Sequence, residues 1–255
     1  MNKIIVTIGY SSLSDRVKKI ELPPKRKNVE IIIAVQGGFA KKFWREDVRV
    51  VYLDSTGAAK SRNKILSEAT GEILFFGDDD MKWVSKGMDE VIDYFSHNED
   101  VDLVLGQTID ENSNLRKRYF RKKKRLTRFN SAKAATYEIA IRTDSFRRKA
   151  ITFDENFGAG TTNYLGDEYI FIADACTKGL SCEFIPSIVA MHPSESSGTR
   201  FGTIEDAKAR SIVLQRIFGR LAPLARFGFA LKNPRRFRKL TLILRFVFGR
   251  FPIKR

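Results

Sequence analysis

Apolar residues in the first hundred positions fall into short continuous runs separated by polar or helically spaced stretches. KIIVTIGY (3–10), EIIIAVQGG (30–38), VRVVYLD (48–54), GEILFFGDDD (71–80) and VDLVLGQT (101–108) predict five strands. Such unbroken runs suit parallel strands covered on both faces rather than strands with one wet face. GAAKSRNKILSEATG (57–71) and VSKGMDEVIDYFSHN (84–98) carry apolar residues at helical spacing, with Ala59, Asn63, Leu66 and Ala69 near one face of the first and Met88, Val91, Ile92 and Phe95 on one face of the second. Ser12 or Ser14 is expected to cap a short helix after the first strand. Further on, ATYEIAIRTDSF (135–146) reads as an alternating strand, DEYIFIADACTKG (167–179) as a helix with Gly179 at its C-cap, and CEFIPSIVAMH (182–192) as a strand broken at Pro186. Alternation of strands and helices predicts an α/β fold with a mostly parallel central sheet and flanking helices.

In such sheets ligands bind beyond the carboxyl ends of the strands. Asp78, Asp79 and Asp80 stand at one such end, with Ser11 and Ser12 at a second and Gly37 and Gly38 at a third. An acid triplet is compatible with a solvated turn or a helix cap. Its place after a buried strand at the ligand edge favours a cation site instead, since carboxylate oxygens suit Mg²⁺ or Mn²⁺ held together with substrate phosphates. The side-chain alternation of a strand end would put Asp78 and Asp80 on one side and Asp79 on the other, making D-x-D the working unit.

SRNKILSEATGEILFFGDDDM resembles the stretch leading into the DXD motif of family 2 glycosyltransferases, which have the GT-A (Rossmann-like) fold. FDENFGAGTTNYLGDEYIFIADACTKG resembles the same family's FDE segment and the acidic pair opening its next helix, in the matching order, and the likeness covers about residues 3–200. The resemblance implies an inverting, hexosyl-type transfer from a nucleotide-sugar donor with Mg²⁺ or Mn²⁺. It puts Asp80 and Asp78 at the metal, Asp78 and Asp79 beside the donor with Asp79 as the solvent-side member or a helper, Arg62 near the diphosphate, and Asn63 as a brace. Thr7, Ile8, Gly9 and Tyr10 fall where family members hold the base. The family usually has an acid near the end of the second strand; here Gln36 stands there, and Asp54 after the third strand is the substitute. The general base is Glu168 by position, with Asp167 as the alternative because the order of the pair is reversed. One of the two is also suited to the helix N-terminus. His192 is either a surface histidine or a further metal or diphosphate contact, and Ser196, Ser197 and Gly198 could offer phosphate-binding amides. Phe153 and Phe157 are expected in the core, with Asp154 and Glu155 fixing a loop that lines the acceptor pocket.

The chain has 255 residues, 43% of them hydrophobic, and two cysteines, Cys176 and Cys182, in no framework pattern, so a reducing compartment is expected. No apolar run reaches the length that crosses a bilayer, and the N-terminus lacks a signal-peptide pattern. The formal net charge is +16, and it is uneven: residues 204–255 hold 14 basic and 2 acidic side chains, so 14 − 2 = +12 resides there. A second cluster, Arg116–Arg128, has 9 basic residues and no acid. These counts divide the chain into a catalytic domain, 1–203, and a basic amphipathic helical tail, 204–255.

In that tail Leu240, Ile243, Leu244, Val247 and Phe251 form a helical stripe flanked by Arg238, Lys239, Arg245 and Arg250. The stripe suits a helix in the interface of an anionic membrane. Packing on the domain or a second copy, and nucleic-acid binding, are the rival readings, the last not expected. The basic cluster is either a solvated loop or a contact for the membrane or the diphosphate of a polyprenyl-linked acceptor. The expected protein is peripheral on the cytoplasmic face of the membrane and acts on a glycan acceptor of surface-polysaccharide type. A non-enzymatic basic binding protein and a nucleotidyltransferase are the alternatives.

Overall fold

The computed structural model describes residues 5–39, 45–193, 202–237 and 239–251. Ser196, Ser197, Gly198 and Arg238 lie outside them.

A nine-stranded sheet forms the centre, with strand order β3-β2-β1-β4-β8-β6-β9-β5. Its members are β1 (Val6–Leu13), β2 (Val29–Gln36), β3 (Val48–Leu53), β4 (Ile73–Asp78), β5 (Lys82–Trp83), β6 (Leu103–Ile109), β7 (Lys124–Arg125), β8 (Ile139–Arg142) and β9 (Cys182–Met191). Strand β7 pairs outside that path, with β9. The pairs β1–β2, β2–β3, β1–β4 and β6–β9 are parallel. Strand β8 runs antiparallel between β4 and β6, so these two point the same way. The carboxyl ends of β1, β2, β3, β4, β6 and β9 therefore share one edge.

Helices cover both faces because both faces are apolar. Along β2, Ile31, Ile33 and Val35 enter one cluster and Ile32 and Ala34 the other, as a two-residue side-chain period requires. Helix α2 (Ser85–His97) covers the first face through Met88, Val91 and Phe95. Helices α1 (Ala58–Glu68), α3 (Thr143–Arg148) and α4 (Asp167–Thr177) cover the second through Ile65, Phe146 and Phe171. Phe153 stacks on Phe171 at 4.0 Å between ring centroids.

Four local expectations change. The residues 135–146 are a 3₁₀ turn (Thr136–Glu138), the short β8, and α3, rather than one strand. Pro186 does not break β9: it is exposed, and the strand continues past it with register shifts against β6, as a residue without an N–H tolerates only at bulges or unpaired positions. Helix α1 turns Ser61, Arg62 and Ile65 inward with Ala59 and Leu66, while Asn63 is only half-buried. The turn after β1 is a 3₁₀ helix at Val17–Lys19 whose N-cap position is Arg16, so no serine caps it; the Ser12 hydroxyl has the Leu13 carbonyl and Asp79 as acceptors, and Ser14 donates to the Gly37 carbonyl.

The basic segment is built into the domain. Helices α5 (Ile204–Phe218), α6 (Ala222–Lys232) and α7 (Leu240–Phe248) form a third apolar cluster with Phe157, Tyr169 and Ile170 of the FDE loop and α4. Of the expected membrane stripe, Ile243, Val247 and Phe251 pack against this cluster, and Leu242 and Phe246 are its buried members. Only Leu240 and Leu244 of that stripe face out. The rival reading, packing on the domain itself, describes that inward face.

Candidate active site

The acid triplet is held by two arginines. Asp78 closes β4 and accepts from Arg62 Nη2 at 3.1 Å. Asp79 is buried: Ser12 Oγ donates to it at 2.8 Å, and Arg16 pairs with it. Asp80 is the outward member, its side chain 41% exposed, with Arg16 Nη2 at 2.8 Å and His192 Nε2 at 3.2 Å. The expected solvent-side role of Asp79 is thus corrected. The chain turns at the strand end, so the middle acid points in and the third points out.

These settings give the acids different proton affinities. Burial raises the Asp79 carboxyl above the ordinary range, against the pull of Ser12 and Arg16. Hydrogen bonding with His192, helped by Arg16, holds Asp80 down to about 2. His192 is buried just past the end of β9 and stacks on Tyr137 at 4.6 Å. Burial alone would lower its pKa; Asp80 and the Pro193 carbonyl outweigh that and raise it.

Arg62 joins this group to the acidic pair Asp167 and Glu168. Its buried guanidinium contacts Asp78, Asp167 and, at 3.7 Å, Glu168. Burial opposes its charge, and the three acids more than offset that, holding it protonated. Asp167 and Glu168 open α4 after Gly166, whose φ of +94° permits the turn. Asp167 is buried, while Glu168 keeps part of its side chain in solvent and accepts from Thr136 Oγ1 at 2.7 Å. Burial, then the adjacent Asp167, lift the Glu168 carboxyl to about 7. A carboxylate near neutrality is well placed to take a proton at physiological pH.

The FDE segment supports this pair. Asn63 brackets it, accepting from the Phe153 amide at 2.8 Å and donating to the Phe153 carbonyl and Glu155 at 3.0 Å. Asp154 is fixed by Arg216 of α5 at 2.8 Å. Gly158 has φ +93°, and a Cβ there would stand 2.6 Å from Asp167 Oδ2. Gly158→Ala is therefore expected to lower thermal stability by about 1–3 kcal/mol, the scale of one strained backbone position, and to perturb Asp167. Thermal unfolding of the variant against a nearby exposed Ala substitution checks this. A cleft of about 540 Å³ opens beside this loop, lined by Asn63, Phe153, Asp154, Asp174, Lys178 and Arg216. It includes neither the triplet nor Glu168.

Three expected donor contacts sit elsewhere. Ile8, Gly9 and Tyr10 lie within β1, not at its end, because the strand runs on through Ser11, Ser12 and Leu13. Ile8 and Tyr10 are fully buried, and a Cβ on Gly9 would collide with Ile65. The residues at that end are Ser11 and Ser12. Gln36 does reach the edge but its amide is buried and committed: it donates to Ser11 and Ser61 at 3.0 Å and accepts from the Gly57 amide at 2.7 Å. It positions the loop before α1 rather than facing a base. Asp54 is exposed just beyond β3.

Residues that sequence reasoning passed over complete the group. Arg16 sits across Asp79 and Asp80, and the 3₁₀ turn Thr136–Glu138 touches Glu168, His192 and the basic cluster in three consecutive residues. Glu138, buried, takes Lys117 at 2.6 Å and the Tyr119 hydroxyl at 2.5 Å, and Arg116 donates to Tyr137. The signal was a polar T-x-E directly before an apolar strand.

Among the described residues no cluster of three or more His, Cys, Asp or Glu side chains is arranged around a cation position. An ionised, outward Asp80 beside the His192 imidazole nevertheless fits Mg²⁺ or Mn²⁺, which commonly take one or two protein ligands and complete their shell with water and substrate phosphates.

Residues 14–154 match the sequence model of glycosyl transferase family 2. No curated protein matches the sequence. Among solved structures, S. aureus TarS residues 1–349 in complex with UDP-GlcNAc superposes with a TM-score of 0.65 at 12% identity, over 96% of this chain and 79% of that one. The UDP complex gives 0.60 at 12% identity, over 90% and 71%. Another S. aureus TarS structure gives 0.63 at 12% identity over 92% of this chain, which spans 44% of that longer protein. At that identity the likeness establishes the fold.

Proposed function

This chain belongs to glycosyl transferase family 2 and is a glycosyltransferase with a GT-A fold, and on that premise we propose that it performs an inverting, metal-dependent transfer from a nucleotide-sugar donor to a glycan acceptor carried on a polyprenyl diphosphate, in surface-polysaccharide assembly of the capsule or O-antigen type. The observation that carries this reading is Arg62, which ties the donor-side Asp78 to the acceptor-side Asp167 and Glu168 in one buried cluster. Membership of the family favours a transferase over a non-enzymatic basic protein or a nucleotidyltransferase.

In the mechanism, Glu168 takes the proton of the acceptor hydroxyl as that oxygen attacks the anomeric carbon. The C–O bond to the nucleotide diphosphate breaks on the opposite face, so configuration inverts. Arg62 and Arg16 supply fixed positive charge toward the leaving diphosphate. Asp80 and His192, with Asp78, would hold the divalent cation, which when bound screens the same diphosphate. Asp167 pairs with the Arg62 guanidinium, which supports a positioning role for Asp167 and the assignment of Glu168 as the base. Ser11 and Ser12, buried at the end of β1, brace Ser61 and Asp79 behind the donor side. The UDP-GlcNAc bound by S. aureus TarS makes uridine diphosphate sugars the first donors to try.

Asp80→Ala is expected to abolish Mn²⁺-dependent donor hydrolysis and transfer, and to weaken Mn²⁺ binding by calorimetry, without changing the melting temperature by more than a few degrees. Unchanged metal binding and activity would sink the assignment.

A further inference from the structure

Helices α6 and α7 hide one face in the third cluster and leave another uncovered. On α6, Leu224, Phe227 and Leu231 are 70%, 52% and 65% exposed, and Leu221 precedes them at the helix start. On α7, Leu240, Leu244 and Phe248 are 70%, 51% and 60% exposed. Spacings of three and four residues put each set on one side of its helix, opposite the residues that enter the cluster. The two helices pack on each other through Phe229, Phe237 and Phe246. The charge around these stripes has one sign. Arg220, Lys232, Arg235, Lys239, Arg245 and Arg250 are exposed, and residues 207–255 contain no acid at all. A large apolar patch on a soluble surface marks an interaction site, and a purely cationic rim selects an anionic partner.

The patch continues into the basic cluster. Exposed Phe129 contacts Phe218 at the end of α5 at 5.3 Å, with Arg128 over both rings. The opposite end of that cluster reaches the active site, where Arg116 pairs with Tyr137 beside His192. The cationic segment thus runs from the uncovered helices to the catalytic group.

We propose that the outer face of α6 and α7, with Arg128 and Phe129, docks in the interface of an anionic lipid bilayer, and that the Arg116–Arg128 segment guides a lipid-borne diphosphate from that surface to the active site. The docking inference stands on the helices alone; the guiding role rests on the transferase reading. Large apolar side chains would enter the acyl boundary while the basic rim meets headgroups, the arrangement of an interfacial amphipathic helix pair. None of the described helices is long and apolar enough to span the bilayer.

Truncation is the wrong test, because removing residues 204–255 would uncover Phe157, Tyr169 and Ile170. The full chain should instead be floated with vesicles of phosphatidylcholine containing about one third phosphatidylglycerol, and with pure phosphatidylcholine. Binding is expected to the anionic vesicles and to fall with added salt. The double variants L224S/F227S and L244S/F248S are each expected to cut it about tenfold or more, with melting temperature and Mn²⁺ binding unchanged. Vesicle binding that survives both variants overturns the proposal. So does a dimer seen by analytical ultracentrifugation that the same variants dissociate, since a second copy would then be the partner. Neither readout uses donor or acceptor, so loss of vesicle binding and loss of transfer activity are separate failures. Charge reversal at Lys122 and Lys124 tests the guiding role: a raised KM for a polyprenyl-diphosphate acceptor with unchanged KM for the nucleotide sugar supports it, and equal effects on both overturn it.

Discussion

Replacing Glu168 by glutamine is expected to slow sugar transfer by about 10²- to 10⁴-fold, the usual contribution of a general base, while donor and Mn²⁺ binding persist. The amide keeps the shape and the Thr136 hydrogen bond but cannot accept the acceptor's proton. In the parent enzyme the rate should fall as pH drops below about 7, where Glu168 takes up a proton; the residual rate of the variant should lack that limb. The sign for stability is opposite. A carboxyl whose folded pKa is raised binds protons more tightly in the native state, so its contribution is full at low pH and is lost as pH rises through about 7. Glu168→Gln, neutral throughout, should therefore melt no lower than the parent at pH 8, which separates lost chemistry from lost fold. A variant that transfers sugar normally would place the base elsewhere. If Asp167→Asn reproduces the loss with Arg62 still ordered, Asp167 is the base.

The second large effect is expected at Arg62. Arg62→Met keeps much of the volume and removes the charge that three carboxylates share. Breaking a buried ion pair by removing one partner costs about 3–5 kcal/mol, and here two buried or half-buried acids and Asp78 are stranded together. The variant should unfold at clearly lower denaturant concentration at pH 8 and recover part of that loss as pH falls below about 7, where Glu168 takes up a proton. A pH-independent loss would mean that packing against Phe153, whose ring lies 5.6 Å from the guanidinium, matters more than charge. Arg62→Lys should restore some stability but little activity, because an ammonium cannot reach Asp78 and Asp167 with separate donors.

How far the sequence was legible follows from what each residue's surroundings could reveal locally. Strands β1, β2, β4 and β6 were plain as apolar runs, and α1, α2 and α4 as helical patterns. The strand end of β1 was not, because Ser11 and Ser12 look like a turn and are strand residues only by virtue of β2 and β4 on either side. The helical pattern puts Asn63 on one face of α1 with Ala59, Leu66 and Ala69 and does not reveal that Arg62 turns inward; the resemblance gives Arg62 a role, and the acids around it explain its burial. Gln36 occupied the expected place yet faces Ser11 and Ser61, a matter of rotamer that no spacing encodes. Arg16, 64 positions from Asp80, and Thr136, 32 positions from Glu168, join the site through tertiary contacts alone. The tail was read as separable because its composition changes abruptly, but composition is silent on which side of each helix meets the domain.

Gly166 and Val213 join two parts of the molecule at one contact. A Cβ on Gly166 would stand 2.5 Å from Val213 Cγ2, so the start of the helix that carries Asp167 and Glu168 rests directly on α5. Helix α5 also holds the uncovered pair: Arg226 of α6 donates to the Ser211 carbonyl, and Ser211 Oγ donates to the Phe246 carbonyl of α7. If those helices rest on lipid, α5 is the strut between the membrane face and the acidic pair, and a change in its packing is felt at both ends.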